Sequence, residues 1–365
     1  FTKLQFRPGI NRETTSYTNE GGWFDCDKIR FRYGVPEKIG GWYKVSGNTF
    51  QGTCRALHPW VVLDGTQFMG VGTNLKYYIE EGGSFNDVTP LRLTTSAGDV
   101  TFAATNGSAV ITASDTDHGA IQGDFVTFSG AATLGGNITA SVLNQEYEIT
   151  DIVNANSYKF TATATANSSD SGNGGGSTVG KYQINIGLNT SVSGTGWGAG
   201  TWGRSTWGSA SSLLASGATL RLWSHDNFGE DLLMNVRDGG IYYWDRSDSS
   251  SSFVRAVALS DESSDAKTPT IAKQIMVSDV DRHVIAFGCD PETAIGTQDP
   301  LLIRFSDQES LTTWTASTTN TAGSLRVGSG SEIICAVETK QQVIVFTDNS
   351  VHAMQFLGPP FTFGI

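Results

Sequence analysis

Asp231-Leu232-Leu233-Met234-Asn235-Val236, Arg237-Asp238-Gly239-Gly240, Ile241-Tyr242-Tyr243-Trp244 is an apolar run, a tight polar turn and an aromatic run. The same unit stands at Gln67-Phe68-Met69-Gly70-Val71-Gly72, Thr73-Asn74, Leu75-Lys76-Tyr77-Tyr78-Ile79. It returns at Gln342-Val343-Ile344-Val345-Phe346-Thr347, Asp348-Asn349-Ser350, Val351-His352-Ala353-Met354-Gln355-Phe356. A fourth copy has a longer connection, from His283-Val284-Ile285-Ala286-Phe287-Gly288 to Pro300-Leu301-Leu302-Ile303-Arg304-Phe305. One such hairpin cannot bury its apolar faces alone. It must stack on siblings, which is the mark of a repeat architecture. In the second half of the chain the units recur roughly every 50–60 residues. The pattern predicts an all-β fold, a β-propeller, and propellers close with four to eight blades.

Composition agrees with that class. Of 365 residues 38% are hydrophobic, 16% charged and 43 are Gly, the balance of a turn-rich β protein. No apolar run approaches the ~18 residues that a membrane helix needs, and no basic-apolar-small leader opens the sequence. Cys26, Cys54, Cys289 and Cys335 have no C-x-x-C spacing, which predicts free, mostly buried thiols and assembly in a reducing compartment. The net charge is −12 and uneven. Residues 1–60 carry nine Lys or Arg against five Asp or Glu, +4; residues 97–195 carry two against eight, −6. An acidic chain is poorly suited to gripping nucleic acid by its phosphates, but it suits a channel through which DNA must slide. The chain opens without Met and stops in the apolar run Phe361-Thr362-Phe363-Gly364-Ile365, so a processed or partial chain, with blades missing, is expected.

The expected organisation is an N-terminal arm with short strands over 1–57, a first blade over 58–96, an inserted small β-barrel over 97–186 and further blades over 187–365. Lys28-Ile29-Arg30-Phe31-Arg32-Tyr33 alternates basic and apolar residues, as a half-buried strand does. Lys28, Arg30, Arg32 and the nearby Lys38 form either a solvated face or a contact with a subunit or partner. The insert shows five short strand candidates, at 99–102, 109–112, 124–128, 147–153 and 157–161. Its Ser/Asn/Gly run over 165–179 reads as a flexible loop. In residues 194–209, Trp197, Trp202 and Trp207 recur every five residues, each followed by Gly. Those rings act as a structural plug or as an exposed aromatic platform for a sugar or partner.

Catalytic signals are sparse. Arg55, Arg221, Arg237, Arg282 and Arg304 include enough arginines for a carboxylate-binding triad, but nothing in the sequence groups them; rim or inter-blade ion pairs are expected instead. Asp25 with Asp27, and Asp279 with Asp281, are too few for Ca²⁺, which wants clustered oxygens. The histidines lack metal-ligand spacing. There is no Walker loop, GxSxG elbow or HExxH. Ser306-Asp307-Gln308-Glu309 with Trp314 loosely resembles the Asp-box turn of sialidase-like propellers, one residue long and with Ser310 in place of Gly. Even a perfect box is structural. The expectation is no enzyme, no cofactor and no metal.

The opening string Phe6-Arg7-Pro8-Gly9-Ile10-Asn11-Arg12-Glu13 continues through Glu20-Gly21-Gly22-Trp23 and Asp27 to Arg32, ending in Gly34-Val35-Pro36-Glu37-Lys38-Ile39-Gly40-Gly41-Trp42. It resembles the start of structural proteins of short-tailed bacteriophages. The Trp197–Trp207 segment, Ser306–Glu309 with Trp314, and Gln355-Phe356-Leu357-Gly358-Pro359-Pro360-Phe361 are similar to later stretches of that family. These are tail hub or nozzle proteins, also called packaged-DNA stabilisation proteins. The resemblance covers most of the chain outside 97–186 and supplies no catalytic residues. It implies a virion tail protein assembled in the bacterial host cytoplasm. Its partners would be copies of itself in a ring, a homohexamer, with portal-side adaptor proteins and tail fibre or needle proteins. Genomic DNA would pass through the ring during ejection without specific binding. The insert is similar to small barrels of other phage proteins and would serve decoration or docking. The alternatives are a carbohydrate-binding, host-recognition propeller using the tryptophan segment, and a glycoside-cleaving propeller. The last requires two carboxylates ~5–9.5 Å apart across one pocket.

Overall fold

The computed structural model describes residues 7–15, 17–41, 43–44, 46–184, 221–248, 253–278, 281–358 and 361–365. Trp197, Trp202 and Trp207 lie outside them. The chain forms two units, Phe1–Asn48 and Thr49–Ile365.

Among its described residues the larger unit contains four four-stranded antiparallel sheets, each running in chain order. Blade one is Cys54–Val61, Gln67–Thr73, Tyr77–Glu81 and Ser84–Asp87. Blade two is Trp223–Phe228, Asp231–Val236, Ile241–Trp244 and Val257–Ala258. Blade three is Gln274–Val277, Val284–Phe287, Leu302–Phe305 and Gly323–Arg326. Blade four is Ile333–Glu338, Val343–Thr347, Val351–Phe356 and Phe363–Gly364. All four repeated hairpins therefore become the middle of a blade.

Blades stack because strand residues alternate between faces. From one strand of blade two, Leu232 and Met234 meet Trp60, Phe68 and Tyr77 of blade one. Leu233 between them meets Ile275, Val284 and Ala286 of blade three. Ile285 and Phe287 of blade three then pack on Val343, Val345 and Met354 of blade four. Strands buried on both faces lose the polar half of the alternation and read as continuous apolar runs. The first strands of blades two, three and four are also tied to their neighbours, that of blade two to the end of the second strand of blade one. The Trp223 indole donates to the Thr73 carbonyl (2.8 Å), the Val277 amide donates to Asp226 (2.8 Å), and the Gln274 side chain bonds both backbone groups of Ala336 (2.8 Å each). These strands form the inner wall.

The turns use their polar residues. Asp238 sits at φ +55°, in the left-handed region that Asp tolerates better than most residues. Buried Asn235 places its amide nitrogen 3.0–3.1 Å from the carbonyls of Val236, Gly239, Gly240 and Ala272. The last of these ties the turn to the chain entering blade three.

The insert is one eight-stranded antiparallel sheet inside the larger unit. In spatial order its strands are Asp170–Asn173, Thr101–Ala104, Val110–Ser114, Ser157–Thr161, Glu146–Asn154, Phe125–Ser129, Val179–Gln183 and Leu91–Thr94. Alternate residues Phe102, Ile111, Val126, Phe128, Tyr147, Tyr158, Phe160 and Tyr182 fill a single core. The sheet curls far enough that Val100 lies over Gly180, near the opposite edge.

Three boundaries differ from the sequence reading. Leu91–Thr94, expected in the first blade, pairs with Val179–Gln183 and belongs to the insert. Asp170–Asn173, expected in a flexible loop, pairs with Thr101–Ala104. Cys54–Val61 begins inside the segment assigned to the arm. The first two concern short strands whose partners are distant in sequence, and local patterning cannot name such partners. Cys54–Val61 pairs with the adjacent Gln67–Thr73, and only its start was placed too late.

Candidate functional site

The arm, described by itself, has no buried residue among its described positions. Among its described residues a hairpin joins Ile29–Arg32 to Val35–Lys38. Tyr33 and Gly34 in the turn have φ +51° and +78°, as a type I′ turn requires. Register puts Arg30 opposite Glu37 and Arg32 opposite Val35 on one face, while Lys38 lies opposite Ile29 on the other. The four basic residues are all exposed but do not share one face. Arg30 pairs with Glu37 (3.2 Å), Lys28 with Asp27 (3.4 Å), and the Arg32 guanidinium lies 5.5 Å from the Tyr33 ring centre. Asp25 is held by Arg12 (2.7 Å), an ion pair. Around the hairpin Ile10, Tyr17, Phe24, Tyr33, Val35, Ile39 and Tyr43 are exposed.

The ends of the blade series are apolar as well. On blade one Leu57, Pro59, Val61 and Leu63 alternate along the first strand and beyond it, all exposed. On blade four Val337 pairs with Ile344 and Phe346 with Val351; Val337 is 51% and Val351 61% exposed. The middle strand of blade four is apolar on both faces, yet a neighbouring blade covers only one.

An open cavity of about 370 Å³ is lined by Trp223, Asp226, Arg237, Lys273, Gln274 and Cys335, among others. Lys273 is buried and paired with Glu332. Asp226 accepts the amides of Asn227 (2.9 Å) and Val277 (2.8 Å). Beside the cavity, the rings of His58 and His225 lie 4.7 Å apart. Asn227 bonds the first (2.6 Å) and Tyr77 the second (3.1 Å). Burial, and then the neighbouring His58, depress His225 to about 4, so it is neutral near pH 7.

The arginines are grouped after all, in part. Arg55 donates to the carbonyl of Arg221 (3.0 Å) and Arg221 to that of Arg237 (3.1 Å), joining blades one and two through backbone. Residues this far apart in sequence leave no local signal of such a chain. Arg282 pairs with Glu309 (3.8 Å), the expected rim pair. Arg304 is fully buried and donates to the carbonyls of Lys267, Asp290 (3.2 Å) and Trp314 (3.4 Å). The box-like turn is structural. Asp307 accepts the amide (2.8 Å) and hydroxyl (2.7 Å) of Thr321, and Trp314 is fully buried.

On the insert a polar hollow of about 560 Å³ is lined by Asp99, Asp115, Asn154 and Asn156 with neighbouring hydroxyls. The Tyr182 hydroxyl donates to Asp115 (2.6 Å) and bonds that of Tyr158 (2.8 Å). Burial nevertheless raises the Asp115 carboxyl. Among the described residues no group of three or more His, Cys, Asp or Glu could hold a metal ion. Cys26, Cys54, Cys289 and Cys335 are free thiols, but only Cys289 is buried; the other three are partly exposed, against the expectation that most would be buried. No described helix is long and apolar enough to cross a membrane.

No protein-family description matches this chain, and no curated protein matches it. Among solved structures it is similar to the phage phi92 endosialidase, with 12% identity and a TM-score of 0.24. The match covers 88% of this chain and 44% of the endosialidase, so the chain spans less than half the length of that protein.

Proposed function

We propose that this chain is a structural subunit of a phage tail, a nozzle or hub protein whose copies ring the DNA exit channel below the portal and adaptor. The observation that carries the reading is the arm. It displays seven large apolar side chains and buries none of its described residues. Such a segment lacks a core of its own, and association with another surface supplies the missing burial. The arm's excess of basic residues suits an acidic neighbour, and the whole chain at −12 supplies one in each further copy. An acidic lumen would repel DNA phosphates within a Debye length of ~10 Å, letting the genome slide during ejection. Adaptor, fibre or needle proteins would occupy the remaining contacts.

Cryo-EM averaging of the native particle that contains this chain is the test. The expected result is a closed sixfold ring around an axial channel at one vertex, with the arm on a neighbouring subunit and an acidic or neutral lumen. Isolated discs on peripheral spikes would overturn the nozzle reading, as would a continuous Lys/Arg lining. Discs on spikes would make glycan binding, read by tryptophan fluorescence, the next assay.

A further inference from the structure

Arg237 follows the second strand of blade two and lies in the wall of the cavity. The Nε of Arg237 is buried and has no hydrogen-bond partner, and the guanidinium forms no ion pair among the described residues. A buried donor without an acceptor loses its water and gains nothing in return. Groups left in that condition call for an explanation, a bound water or ion among them. The other polar groups of the wall are already committed. Lys273 is held by Glu332, Gln274 by the backbone of Ala336, and Ser224 by Asn235 (3.1 Å) and the Ile275 amide (3.1 Å). Asp226, the carboxylate in the same wall, is turned to two backbone amides. Arg237 is thus the cation with spare donors, and it faces a space of about 370 Å³. That volume falls within the range of small-molecule sites.

We propose that this cavity binds a ligand through a small oxyanion group, a carboxylate, phosphate or sulfate, seated on the guanidinium of Arg237. The planar fork of arginine matches two oxygens of such a group at once. The buried ammonium of Lys273 in the same wall adds positive potential, tempered by Glu332. The site is independent of the nozzle reading: it belongs to the propeller of a single copy and requires no ring.

Calorimetry on the full chain with inorganic phosphate, sulfate and glucuronate tests it. Saturable binding of at least one is expected, weakened about tenfold or more by Arg237→Gln and less by Arg237→Lys, which keeps the charge and loses the fork. Binding confined to glucuronate assigns a carboxylate ligand; binding of phosphate or sulfate assigns a tetrahedral one. No binding at millimolar concentration, or unchanged affinity in Arg237→Gln, overturns the proposal. Should Arg237→Gln fail to fold, the unaltered protein still decides. Cys335 lines the same cavity, so the bound anion should slow its alkylation by neutral iodoacetamide, followed site by site by mass spectrometry with Cys26 as control. An unchanged Cys335 rate overturns the site.

Discussion

Gly72 is bare because the Trp223 ring lies against it: a Cβ there would sit 2.6 Å from the ring. The contact joins blade one to blade two, and the Trp223 indole bonds the next carbonyl, that of Thr73. Gly72→Ala must push the ring aside, and overpacking of this kind costs about 1–3 kcal/mol. A lower urea midpoint at an unchanged slope is the expected outcome. A second residue-level prediction concerns Asp265. Burial works to raise its carboxyl, but the Thr315 hydroxyl and the amides of Lys267, Trp314 and Thr315 outweigh burial and hold it at about 2. A carboxyl lowered in the folded state stabilises above its unfolded value, near 4, and loses that contribution as pH falls towards 2. Wild type should therefore exceed Asp265→Asn in stability at pH 6, and the gap should close by pH 2, as read by thermal unfolding across that window.

Between elements, the joint of propeller and insert rests on one buried cation. Lys76, in the turn of the blade-one hairpin, pairs with Asp87 (2.9 Å) and with Glu146 of the insert. Arg255, near the last strand of blade two, reaches the same two carboxylates (2.7 and 3.5 Å), and Gln183 donates to Glu146. Lys76 is 2% exposed, so Lys76→Met leaves two partly buried carboxylates sharing one arginine. Removing one partner from a buried pair typically costs about 3–5 kcal/mol. The cost here should lie near the low end, because both carboxylates keep some contact with water. Hydrogen exchange should rise along Tyr77–Glu81 and at Glu146, while the centre of the insert sheet stays protected by its own core.

At the scale of the whole molecule, the blade series shows uncovered apolar faces on blades one and four. Leu57, Val61 and Leu63 on one, and Val337 and Val351 on the other, present the kind of surface that blades two and three bury against each other. Exposed patches of this kind mark interaction surfaces. The chain should self-associate with rising concentration, measured by light scattering. Val61→Asp combined with Val351→Asp should reduce the associated fraction without moving the unfolding midpoint, because surface substitutions seldom change stability by more than about 0.5 kcal/mol. A strictly monomeric wild type would show that those faces are inert.

The sequence by itself determined the fold class. Burial on both faces leaves runs such as Val343-Ile344-Val345 apolar without a break, and hairpin turns demand residues such as Asp238-Gly239 that tolerate unusual dihedrals. Both requirements are local, so they are legible in a linear text. The alternation of Lys28 to Arg32 likewise predicted a half-buried strand with its basic residues outward, and Ile29–Arg32 alternates partly buried apolar with exposed basic residues. Pairing was decided elsewhere. Leu91–Thr94 looks like a blade strand and joins the insert, because its partner at Val179–Gln183 lies across the whole inserted module. The arginine chain from Arg55 to Arg237, the junction at Lys76 and the unpartnered guanidinium in the cavity exist only once distant strands have stacked. Local conformational preference sets what each segment becomes. Long-range packing sets what each segment meets, and every candidate site described here is made of such meetings.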